Sequence, residues 1–451
     1  MQKYEMVRNH IIEKLKSGEL KNGQRLPSCR DVSRELSVNK ITVNKAYHNM
    51  EEEHIIYSIP RGGFYVVEGM KNTIVKKRCY DFATVTPDLK LIPYREFSHV
   101  INKSVDHYKD DLFSYEPTAG LLTLRHTLKG MLENSGVYTE LNRIIITNGA
   151  QQAIYLLLQM LFKDSKAKLL VEAPTYCLVL KMAEIIGIET ASISRESNGF
   201  DLYKLEKIFK SQSIQAFYLM PRHHNPTGFS LEEKQKRKIA ELAAKYDVLI
   251  LEDDYLADLG SKKSCMPIHY YDTANKTVYI RSFSKTFMPG IRLGFAVLPE
   301  HMTDRFTELK RLTDLNTSRL PQAALDLFIK SGMYEKHIQK VRKSYEEKLR
   351  RSREIIEALS PDWIRWHIPS HGIFIWGEIE NDRYDYELEK VLTENNILIK
   401  AGGDSYVGRT GVPDLNPKDK GIKSCIRLCI SGISLEDMKA GLSEMMQLLN
   451  E

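Results

Sequence analysis

Apolar positions follow a helical period through the first fifty residues. Residues 4–16 place apolar side chains three and four positions apart, which predicts one amphipathic helix. Ser28 is a predicted cap for a short second helix. A third helix is predicted to begin at Asn39 or Lys40 and to end near Glu53. The beginning of the chain is therefore helical.

Two short apolar runs, 55–57 and 63–67, follow this helical segment and surround a turn at 60–63. They predict a two-stranded wing. Three short helices and a wing are typical of a winged helix-turn-helix domain, which we place at residues 1–68. A small helical domain for protein contact is the alternative.

The polar residues of this domain are candidates for contact with DNA. In a winged helix-turn-helix, the N-terminal residues of the third helix reach base edges in the major groove. Lys40, Thr42 and Asn44 occupy that position, outside the predicted buried face. Arg30 and the wing residue Arg61 are expected to contact phosphates or a groove.

Strands and helices alternate from about residue 81. Such alternation predicts an α/β domain with a mostly parallel sheet, in which ligands bind outside the carboxyl ends of the strands. The predicted strands are 143–147, 168–172, 216–220, 248–251, 278–280 and 293–298. Further strands at 372–376, 397–400 and 425–430 predict a smaller α+β domain. We expect a linker at 69–80, a large domain at 81–330 and a small domain at 331–451.

Charge is unevenly distributed along the 451 residues. The net charge is +6, and residues 1–80 carry all of it, with 15 Lys and Arg against 9 Asp and Glu. A compact basic domain on a neutral body favours an acidic polymer as partner, and nucleic acid is the usual one. Double-stranded DNA is therefore the expected partner.

The remaining composition is that of a globular protein, with 42% apolar and 27% charged residues. No apolar run is long enough to span a bilayer, and the N-terminus lacks the apolar stretch of a signal peptide. The six cysteines form no CxxC pair. We therefore expect a cytoplasmic protein with free thiols, no membrane contact and no metal site.

The stretch 282–292 carries the most informative chemistry. It offers the amine of Lys285, with the hydroxyl of Ser282 before it and the guanidinium of Arg292 after it. A phosphorylated aldehyde cofactor needs a lysine for a Schiff base, and a hydroxyl and an arginine for the phosphate. A surface turn with a solvated lysine is the alternative.

Polar residues also follow other predicted strands. The amides of Gly149, Ala150 and Gln151 open a helix and can hold a phosphate. Tyr176 is either a ring-stacking side chain or a core tyrosine, and the turn that begins with Asn225 offers an amide that can bond a phenolic oxygen. Asp253 ends an apolar strand, where a carboxylate needs a partner such as a pyridine nitrogen.

Two further positions remain open from the residues alone. Tyr255 could donate to a phenolate oxygen of such a cofactor, and Asp254 is the alternative to Asp253 as the partner of the ring nitrogen. Arg427 lies in the middle of an apolar strand, which for an arginine usually means an edge or surface position. The strand-end residues together nevertheless describe one cofactor site.

Residues 80–451 resemble a fold-type I pyridoxal 5′-phosphate enzyme of the class I/II aminotransferase kind. The resemblance rests on the Lys285 segment and on the Asn-Pro-Thr-Gly turn at 225–228. It implies that Lys285 carries the internal aldimine and that Arg427 grips a substrate carboxylate. It also implies that Asp253 pairs with the pyridine nitrogen. The remaining roles that it implies are a ring-oxygen contact for Tyr255 and Asn225, stacking for Tyr176, phosphate binding for Ser282, Arg292 and Gly149–Gln151, and a phosphate contact to the neighbouring subunit of a homodimer for Tyr115.

Residues 1–68 resemble the DNA-binding domain of the GntR family through the string Gly-Gln-Arg-Leu-Pro-Ser-Cys-Arg at 23–30. Such domains often have Ser-Arg where this chain has Asn39-Lys40, which leaves the operator sequence open. The two parts together resemble MocR-type regulators. That resemblance implies a transcription regulator whose aminotransferase-like part senses an amino compound or pyridoxal phosphate. The alternatives are a working aminotransferase that carries a DNA-binding domain, and a scaffold without cofactor.

Overall fold

A computed structural model describes residues 3–21, 23–53, 55–59, 62–67, 78–114, 117–163, 166–260, 266–380, 385–408 and 424–451. The chain divides into two compact units, Met1–Cys79 and Tyr80–Glu451. Most of the predicted linker at 69–80 lies outside the described residues. Each unit is described by itself.

The described residues of the smaller unit form three helices and one hairpin. The elements are α1 (Lys3–Lys16), α2 (Cys29–Glu35), α3 (Lys40–Glu52), β1 (Ile56–Ile59) and β2 (Gly63–Val66), with β1 and β2 antiparallel. Ser28 caps α2, because its side chain accepts a hydrogen bond from the amide of Asp31. One face of α3 is buried, namely Val43, Ala46, Tyr47 and Met50, and the predicted DNA-contacting residues of this helix lie outside it. The winged helix-turn-helix prediction is confirmed.

A seven-stranded sheet forms the centre of the larger unit. Its strand order is β4-β10-β9-β8-β7-β5-β6. Strand β10 is antiparallel to both of its neighbours, whereas the pairs from β9 to β6 are all parallel. The strands are β4 (Ile144–Thr147), β5 (Lys168–Ala173), β6 (Thr190–Ser194), β7 (Ile214–Leu219), β8 (Leu249–Asp253), β9 (Thr277–Ser282) and β10 (Gly294–Val297).

Both faces of this sheet are covered, as a parallel sheet requires. On β7, Ala216 and Tyr218 face one apolar cluster while Phe217 and Leu219 face another. The covering helices are α4 (Tyr94–Tyr108), α5 (Leu122–Glu133), α6 (Ala150–Phe162), α7 (Cys177–Ile186), α8 (Leu202–Ser211), α9 (Glu233–Tyr246), α10 (Glu300–Asp314) and α11 (Arg319–Lys330). The mostly parallel α/β fold is confirmed.

The C-terminal part has its own antiparallel sheet, in the order β11-β12-β15-β14. Its strands are β11 (Ile364–His367), β12 (Phe374–Ile379), β14 (Lys400–Ala401) and β15 (Cys425–Cys429). The helices α12 (Met333–Leu359), α13 (Asp385–Glu394) and α14 (Leu435–Asn450) accompany it.

The single strand predicted at 397–400 was wrong. The chain changes sheets there: β13 (Ile397–Leu398) pairs in parallel with β3 (Tyr80–Asp81), whereas β14 pairs with β15. Both strands come from one apolar run, in which the alternate residues Ile397, Ile399 and Ala401 are all buried. The start of the larger unit is thereby tied to the C-terminal part.

Among the described residues, no helix is long and apolar enough to cross a membrane. The described cysteines, Cys29, Cys79, Cys177, Cys425 and Cys429, are all free thiols. No group of side chains within the described ranges could hold a metal ion.

Candidate functional site

A cavity of about 200 Å³ lies at the carboxyl ends of the central strands. The residues singled out from the sequence as a cofactor site meet there, although they come from distant parts of the chain. The lining includes Gly149, Ala150, Gln151, Tyr176, Asn225, Asp253, Tyr255, Ser282, Lys285, Arg292 and Arg427. Tyr115 lies outside the described residues.

The strand ends explain this convergence. Asp253 is the last residue of β8 and Ser282 the last of β9, and these parallel strands are neighbours. Helix α6 begins at Ala150, directly after β4 and Gly149. Gly294 allows β10 to pass close to this turn, since a Cβ there would lie 2.8 Å from the Gly149 carbonyl carbon. A larger residue at 294 would displace the start of α6.

One end of the cavity is suited to an anion. The first residues of α6, Ala150 and Gln151, line it together with Ser282 and Arg292, so the positive end of the helix dipole lies at this site. The amide of Gly149 donates to the carbonyl oxygen of Thr147 at 2.9 Å. Arg292 is anchored by a hydrogen bond from Nη2 to the carbonyl oxygen of Asn148, at 3.2 Å. The buried Oγ of Ser284 has no hydrogen-bond partner among the described residues. These donors leave room for a phosphate.

Asp253 also lines the cavity, and one of its carboxylate oxygens is satisfied by the protein. The hydroxyl of Tyr218 donates to Oδ2 at 2.7 Å, while the buried Oδ1 has no partner among the described residues. Burial raises the pKa of Asp253 to about 7, against the opposing effect of the Tyr218 hydrogen bond. Burial also holds the pKa of Tyr218 well above its usual value, so that Tyr218 remains a donor.

Asp254 faces away from the cavity, because successive side chains along an extended chain point to opposite faces. It forms a buried ion pair with Arg222, whose Nε lies 3.0 Å from Oδ1, and it accepts a hydrogen bond from Tyr279 at 2.7 Å. Burial alone would raise the pKa of Asp254, but Arg222 and Tyr279 hold it below the usual value. Asp254 is thus satisfied by the protein itself.

Lys285 is half-buried, and its amine is hydrogen-bonded to the backbone. Its Nζ donates to the carbonyl oxygen of Val85 at 2.7 Å. Burial lowers the pKa of Lys285, and the positive charges of Arg427 and Arg292 lower it further, against the effect of Cys429. A depressed pKa increases the fraction of neutral amine, which is the nucleophilic form.

The guanidinium of Arg427 is also hydrogen-bonded to the backbone. Its Nη2 donates to the carbonyl oxygen of Ala83 at 2.6 Å, and its Nη1 reaches Oδ1 of Asn225 at 3.4 Å. Its guanidinium lies over the ring of Phe374, with 4.9 Å between the guanidinium carbon and the ring centroid. The arginine is therefore inside the cavity, rather than at the strand edge that its sequence context alone suggested.

Two tyrosines complete the lining. Gln151 Nε2 donates to the hydroxyl of Tyr176 at 3.0 Å, and burial raises the pKa of Tyr176 to about 12. The hydroxyl of Tyr255 donates to the carbonyl oxygen of His223 at 2.6 Å. Both side chains border the space beside Lys285.

The sequence did not single out Tyr218, Ser284 or Val85. Tyr218 had a usable signal, because it lies on the same face of β7 as Ala216 and near the strand end. Ser284 lies one residue before Lys285, in the same stretch as Ser282, so the sequence contained a signal for it as well. Val85 contributes a backbone carbonyl, for which no side-chain pattern exists.

A second, larger cavity of about 470 Å³ shares no residue with the predicted cofactor site. Arg222, Arg281 and Arg342 line it together with Asp258, Glu335 and a mixture of polar and apolar side chains. Arg222 is paired with Asp254 and Arg281 with Asp258. Size alone therefore does not identify the functional cavity. The smaller cavity is the better candidate because the residues predicted to bind a cofactor line it.

The third helix of the smaller unit exposes polar side chains at its N-terminus. Asn39 caps α3 by accepting from the amide of Ile41 at 2.9 Å. Lys40 and Asn44 are exposed and Thr42 is half-buried, while Arg30 is exposed on α2. Ile41, which the sequence did not single out, is 76% exposed. The remaining predicted DNA-contacting residue, Arg61, lies outside the described residues.

Comparison with known families agrees with this geometry. Residues 92–444 match the family "Aminotransferase class I and II". The chain belongs to this family. Residues 3–66 match "Bacterial regulatory proteins, gntR family". The predicted combination, a GntR-type winged helix ahead of an aminotransferase-like domain, is thereby confirmed.

Relatives of this aminotransferase-family chain carry names of regulators. It is 42% identical over 357 residues to the uncharacterized HTH-type transcriptional regulator YcxD of Bacillus subtilis (strain 168), covering 79% of this chain and 80% of that protein. It is 26% identical over 409 residues to the HTH-type transcriptional regulator NorG of Staphylococcus aureus (strain USA300), covering 84% of this chain and 92% of that protein.

Two solved structures with a similar fold are named as aminotransferases. One is a Pyrococcus horikoshii kynurenine aminotransferase in complex with PMP, at 24% identity and a TM-score of 0.75, covering 83% of this chain and 92% of that one. Another is the α-aminoadipate aminotransferase LysN from Thermus thermophilus, complexed with N-(5′-phosphopyridoxyl)-L-leucine. LysN shows 24% identity and a TM-score of 0.74, covering 82% of this chain and 92% of that one. At these identities the likeness establishes the fold.

Proposed function

We propose that this chain is a pyridoxal-phosphate-dependent transcription regulator, whose aminotransferase-like part senses an amino compound or the cofactor itself through Lys285. The observation that carries the proposal is the presence, in one chain, of a gntR-type domain and a cavity lined by the predicted cofactor-binding residues that the structure describes. Relatives named transcriptional regulators support it.

The cavity residues fit pyridoxal phosphate. Asp253 Oδ1 is a buried acceptor without a partner among the described residues, and a protonated pyridine nitrogen would satisfy it. Asp254, paired with Arg222, has no such need. The amides of Gly149–Gln151, with Ser282 and Arg292, would hold the phosphate. When bound, the cofactor supplies an aldehyde that condenses with a primary amine with loss of one water, and an electron-withdrawing ring.

The surrounding side chains would orient the two ligands. Tyr176 would stack on the cofactor ring, and Asn225 would donate to its ring oxygen. Tyr255 would donate to the same oxygen once its hydroxyl hydrogen turns away from the carbonyl oxygen of His223. Arg427 would bind the carboxylate of an amino-acid effector in a bidentate manner. Lys285, with its lowered pKa, would be available as a neutral amine.

The smaller unit would bind double-stranded DNA. Lys40, Thr42 and Asn44 would reach base edges in the major groove, and Arg30 and Arg61 would contact the backbone or a groove. The exposed Ile41 beside them is suited to a thymine methyl group. A homodimer formed through the aminotransferase-like part, in which Tyr115 completes the neighbour's phosphate site, would bind two half-sites. We expect the protein to act in the cytoplasm.

The proposal is tested by selecting duplexes from a random-sequence library with the full chain. The recovered sequence is then titrated with protein, with and without pyridoxal phosphate and a panel of amino acids. We expect one selected motif, and an affinity that changes when the cofactor or an amine is present. Failure to enrich any motif would overturn the regulatory function.

A working aminotransferase that carries a DNA-binding domain is the second candidate. The arrangement of Asn225 beside Arg427 favours it, because this pair can hold both a ring oxygen and a substrate carboxylate. Multiple-turnover assays with amino donors and keto-acid acceptors separate the two functions. Sustained turnover would identify an enzyme, whereas a reaction that stops after binding the amine would identify a sensor.

A further inference from the structure

The cavity of about 470 Å³, which we call the arginine cavity, is lined by a buried arginine with unsatisfied donors. The side chain of Arg281 is only 2% exposed. Its Nη2 donates to Oδ1 of Asp258 at 2.5 Å, whereas its Nε and Nη1 have no hydrogen-bond partner among the described residues. Buried donors normally have acceptors, and a guanidinium stays protonated and keeps all of its N–H groups. Arg281 therefore favours an occupant that brings oxygen acceptors.

A second arginine reaches the same part of the cavity. Arg342 lies on α12, and its Nη2 donates to the backbone carbonyl oxygen of Asp258 at 2.6 Å. The buried Nε of Arg342 has no hydrogen-bond partner in the part of the chain that the structure describes. Because Arg281 and Arg342 both bond to Asp258, their guanidinium groups lie near each other. They are therefore placed to share one small anion.

Asp258 is fixed by other groups and does not serve the remaining donors. Its Oδ1 accepts from Arg281, and its Oδ2 accepts from the hydroxyl groups of Thr286 at 3.0 Å and Tyr334 at 2.8 Å. A carboxylate held at both oxygens cannot turn towards further donors without losing these bonds. The acceptors for Nε and Nη1 of Arg281 and for Nε of Arg342 must therefore come from whatever occupies the cavity.

The charges of the cavity leave a place for one anion. Arg222 and Arg281 each have a carboxylate partner, so their charges are balanced. Glu335 also lines the cavity, but it is exposed, and it precedes Arg342 by seven residues on the same helix, which corresponds to about 10 Å along the helix axis. Water screens a charge in that position. The positive charge of Arg342 is therefore the one that a bound monoanion would balance.

The rest of the lining suits an apolar body. It includes the side chains of Met131, Ala257, Met266, Ile329 and Ile338. Sites for small molecules typically have volumes of about 300–1,000 Å³ and combine apolar walls with a few placed polar groups. The arginine cavity, at about 470 Å³, has both properties.

We propose that the arginine cavity is a second ligand site, which binds a small monocarboxylate with an apolar body. The carboxylate oxygens accept from Arg281 and Arg342, and the apolar body packs against Met131 and Ile338. The arginine cavity shares no lining residue with the smaller cavity, so the inference is independent of the proposed function. The proposed function can fail while the carboxylate site stands, and the reverse also holds.

NMR of the full chain, isotope-labelled at its methionine methyl groups, tests where a carboxylate binds. Met131 and Met266 line the arginine cavity, whereas Met220 lines the smaller cavity. Their signals are assigned by single Met→Leu substitutions. The probes are hydrocinnamate, a monocarboxylate with a phenyl group, and its neutral amide, hydrocinnamamide.

We expect hydrocinnamate to shift the signals of Met131 and Met266, and hydrocinnamamide to bind about tenfold more weakly or less, because it lacks the charged acceptor. Shifts confined to Met220 would place the carboxylate in the smaller cavity and overturn the proposal. The absence of any shift at millimolar hydrocinnamate would show that water satisfies the arginine donors. Equal affinities of the acid and the amide would exclude a carboxylate site.

A matched pair of variants on α12 tests the role of the guanidinium. Arg342→Gln removes the charge that the carboxylate would balance, and we expect it to weaken hydrocinnamate binding by about tenfold or more. Arg350→Gln is the control, because Arg350 is exposed on the same helix and pairs with Glu347 and Glu354 instead. It should bind hydrocinnamate as the wild type does.

A second variant keeps both guanidinium groups and changes the space instead. Ala257→Leu adds bulk to the lining of the arginine cavity, and it should also weaken hydrocinnamate binding. Urea unfolding of each variant shows whether the larger unit remains folded. Wild-type affinity for hydrocinnamate in both Arg342→Gln and Ala257→Leu would refute the second ligand site.

Discussion

The hydrogen bond from Tyr218 to Asp253 offers a test of the electrostatics of the site. Tyr218→Phe removes the hydroxyl and keeps the ring, so the buried packing is retained. A hydrogen bond to a charged group contributes about 1.5–3 kcal/mol. At 1.36 kcal/mol per pKa unit, its loss raises the pKa of Asp253 by roughly one to two units. From about 7 in the wild type, the variant value becomes about 8–9.

The pH dependence of stability follows from this shift. The pKa of Asp253 is raised in the folded state above its ordinary value of 3.8, so the folded chain binds a proton that the unfolded chain has already lost. Stability contributed by Asp253 therefore falls as pH rises from about 4, and the fall ends near the folded pKa. In the wild type it ends near pH 7, whereas in Tyr218→Phe it continues to about pH 8–9.

The assay is urea unfolding of cofactor-free full chain at fixed protein concentration, at a series of pH values from 6 to 9.5. Tryptophan fluorescence reports only the larger unit, because Trp363, Trp366 and Trp376 all belong to it. We expect the destabilisation caused by Tyr218→Phe to be about 1.5–3 kcal/mol greater at pH 9.5 than at pH 6.

The matched control places Tyr218→Phe in an Asp253→Asn background, where no carboxylate titrates. There the effect of the phenylalanine should be independent of pH. A destabilisation that is the same at pH 6 and pH 9.5 in the Asp253 background would refute the reasoning, since the hydroxyl would then not be bound to an ionising group.

Three further predictions test other parts of the molecule. Lys285→Ala should abolish the near-visible absorbance of pyridoxal phosphate bound to an amine, with the exposed Lys181→Ala as control; an unchanged spectrum would contradict the role of Lys285. Gly294→Ala should destabilise the larger unit by about 1–3 kcal/mol in urea unfolding, because its Cβ would lie 2.8 Å from backbone atoms; a stability equal to wild type would show that this turn can move freely. Lys40→Ala should weaken binding to the selected duplex by about 1–3 kcal/mol in a titration, whereas the exposed Lys234→Ala should have no effect; equal losses would place DNA elsewhere.

Much of the candidate site could be predicted from the sequence, because its polar residues lie in short stretches at the ends of predicted strands. Lys285, Ser282 and Arg292 lie within one turn-forming stretch, and Gly149–Gln151, Asn225 and Asp253 each follow an apolar run. Parallel strands place their carboxyl ends at one edge of the sheet. A strand pattern therefore predicts that these residues meet, even before their distances are known. The family resemblance then gave each of them an expected role.

The strand predicted at 397–400 shows the limit of predicting structure from local sequence patterns. An apolar run indicates a buried strand, but it does not say which sheet the strand joins. Ile397 and Leu398 pair with Tyr80 and Asp81, while Lys400 and Ala401 pair with β15. The first of these pairings joins residues more than three hundred positions apart, which no local pattern records.

The sequence by itself determined a basic winged helix, an α/β body and the candidate cofactor lysine Lys285, because each depends on the spacing of side chains along a short stretch. Only the tertiary structure decided that Asp253 faces the cavity and Asp254 faces Arg222, and that Tyr218 holds Asp253. It alone showed that Lys285 and Arg427 donate hydrogen bonds to backbone carbonyl groups that lie 200 and 344 residues away in the sequence. Every residue has the same backbone carbonyl group. Which side chain donates a hydrogen bond to it therefore depends on the folded structure and cannot be predicted from the sequence.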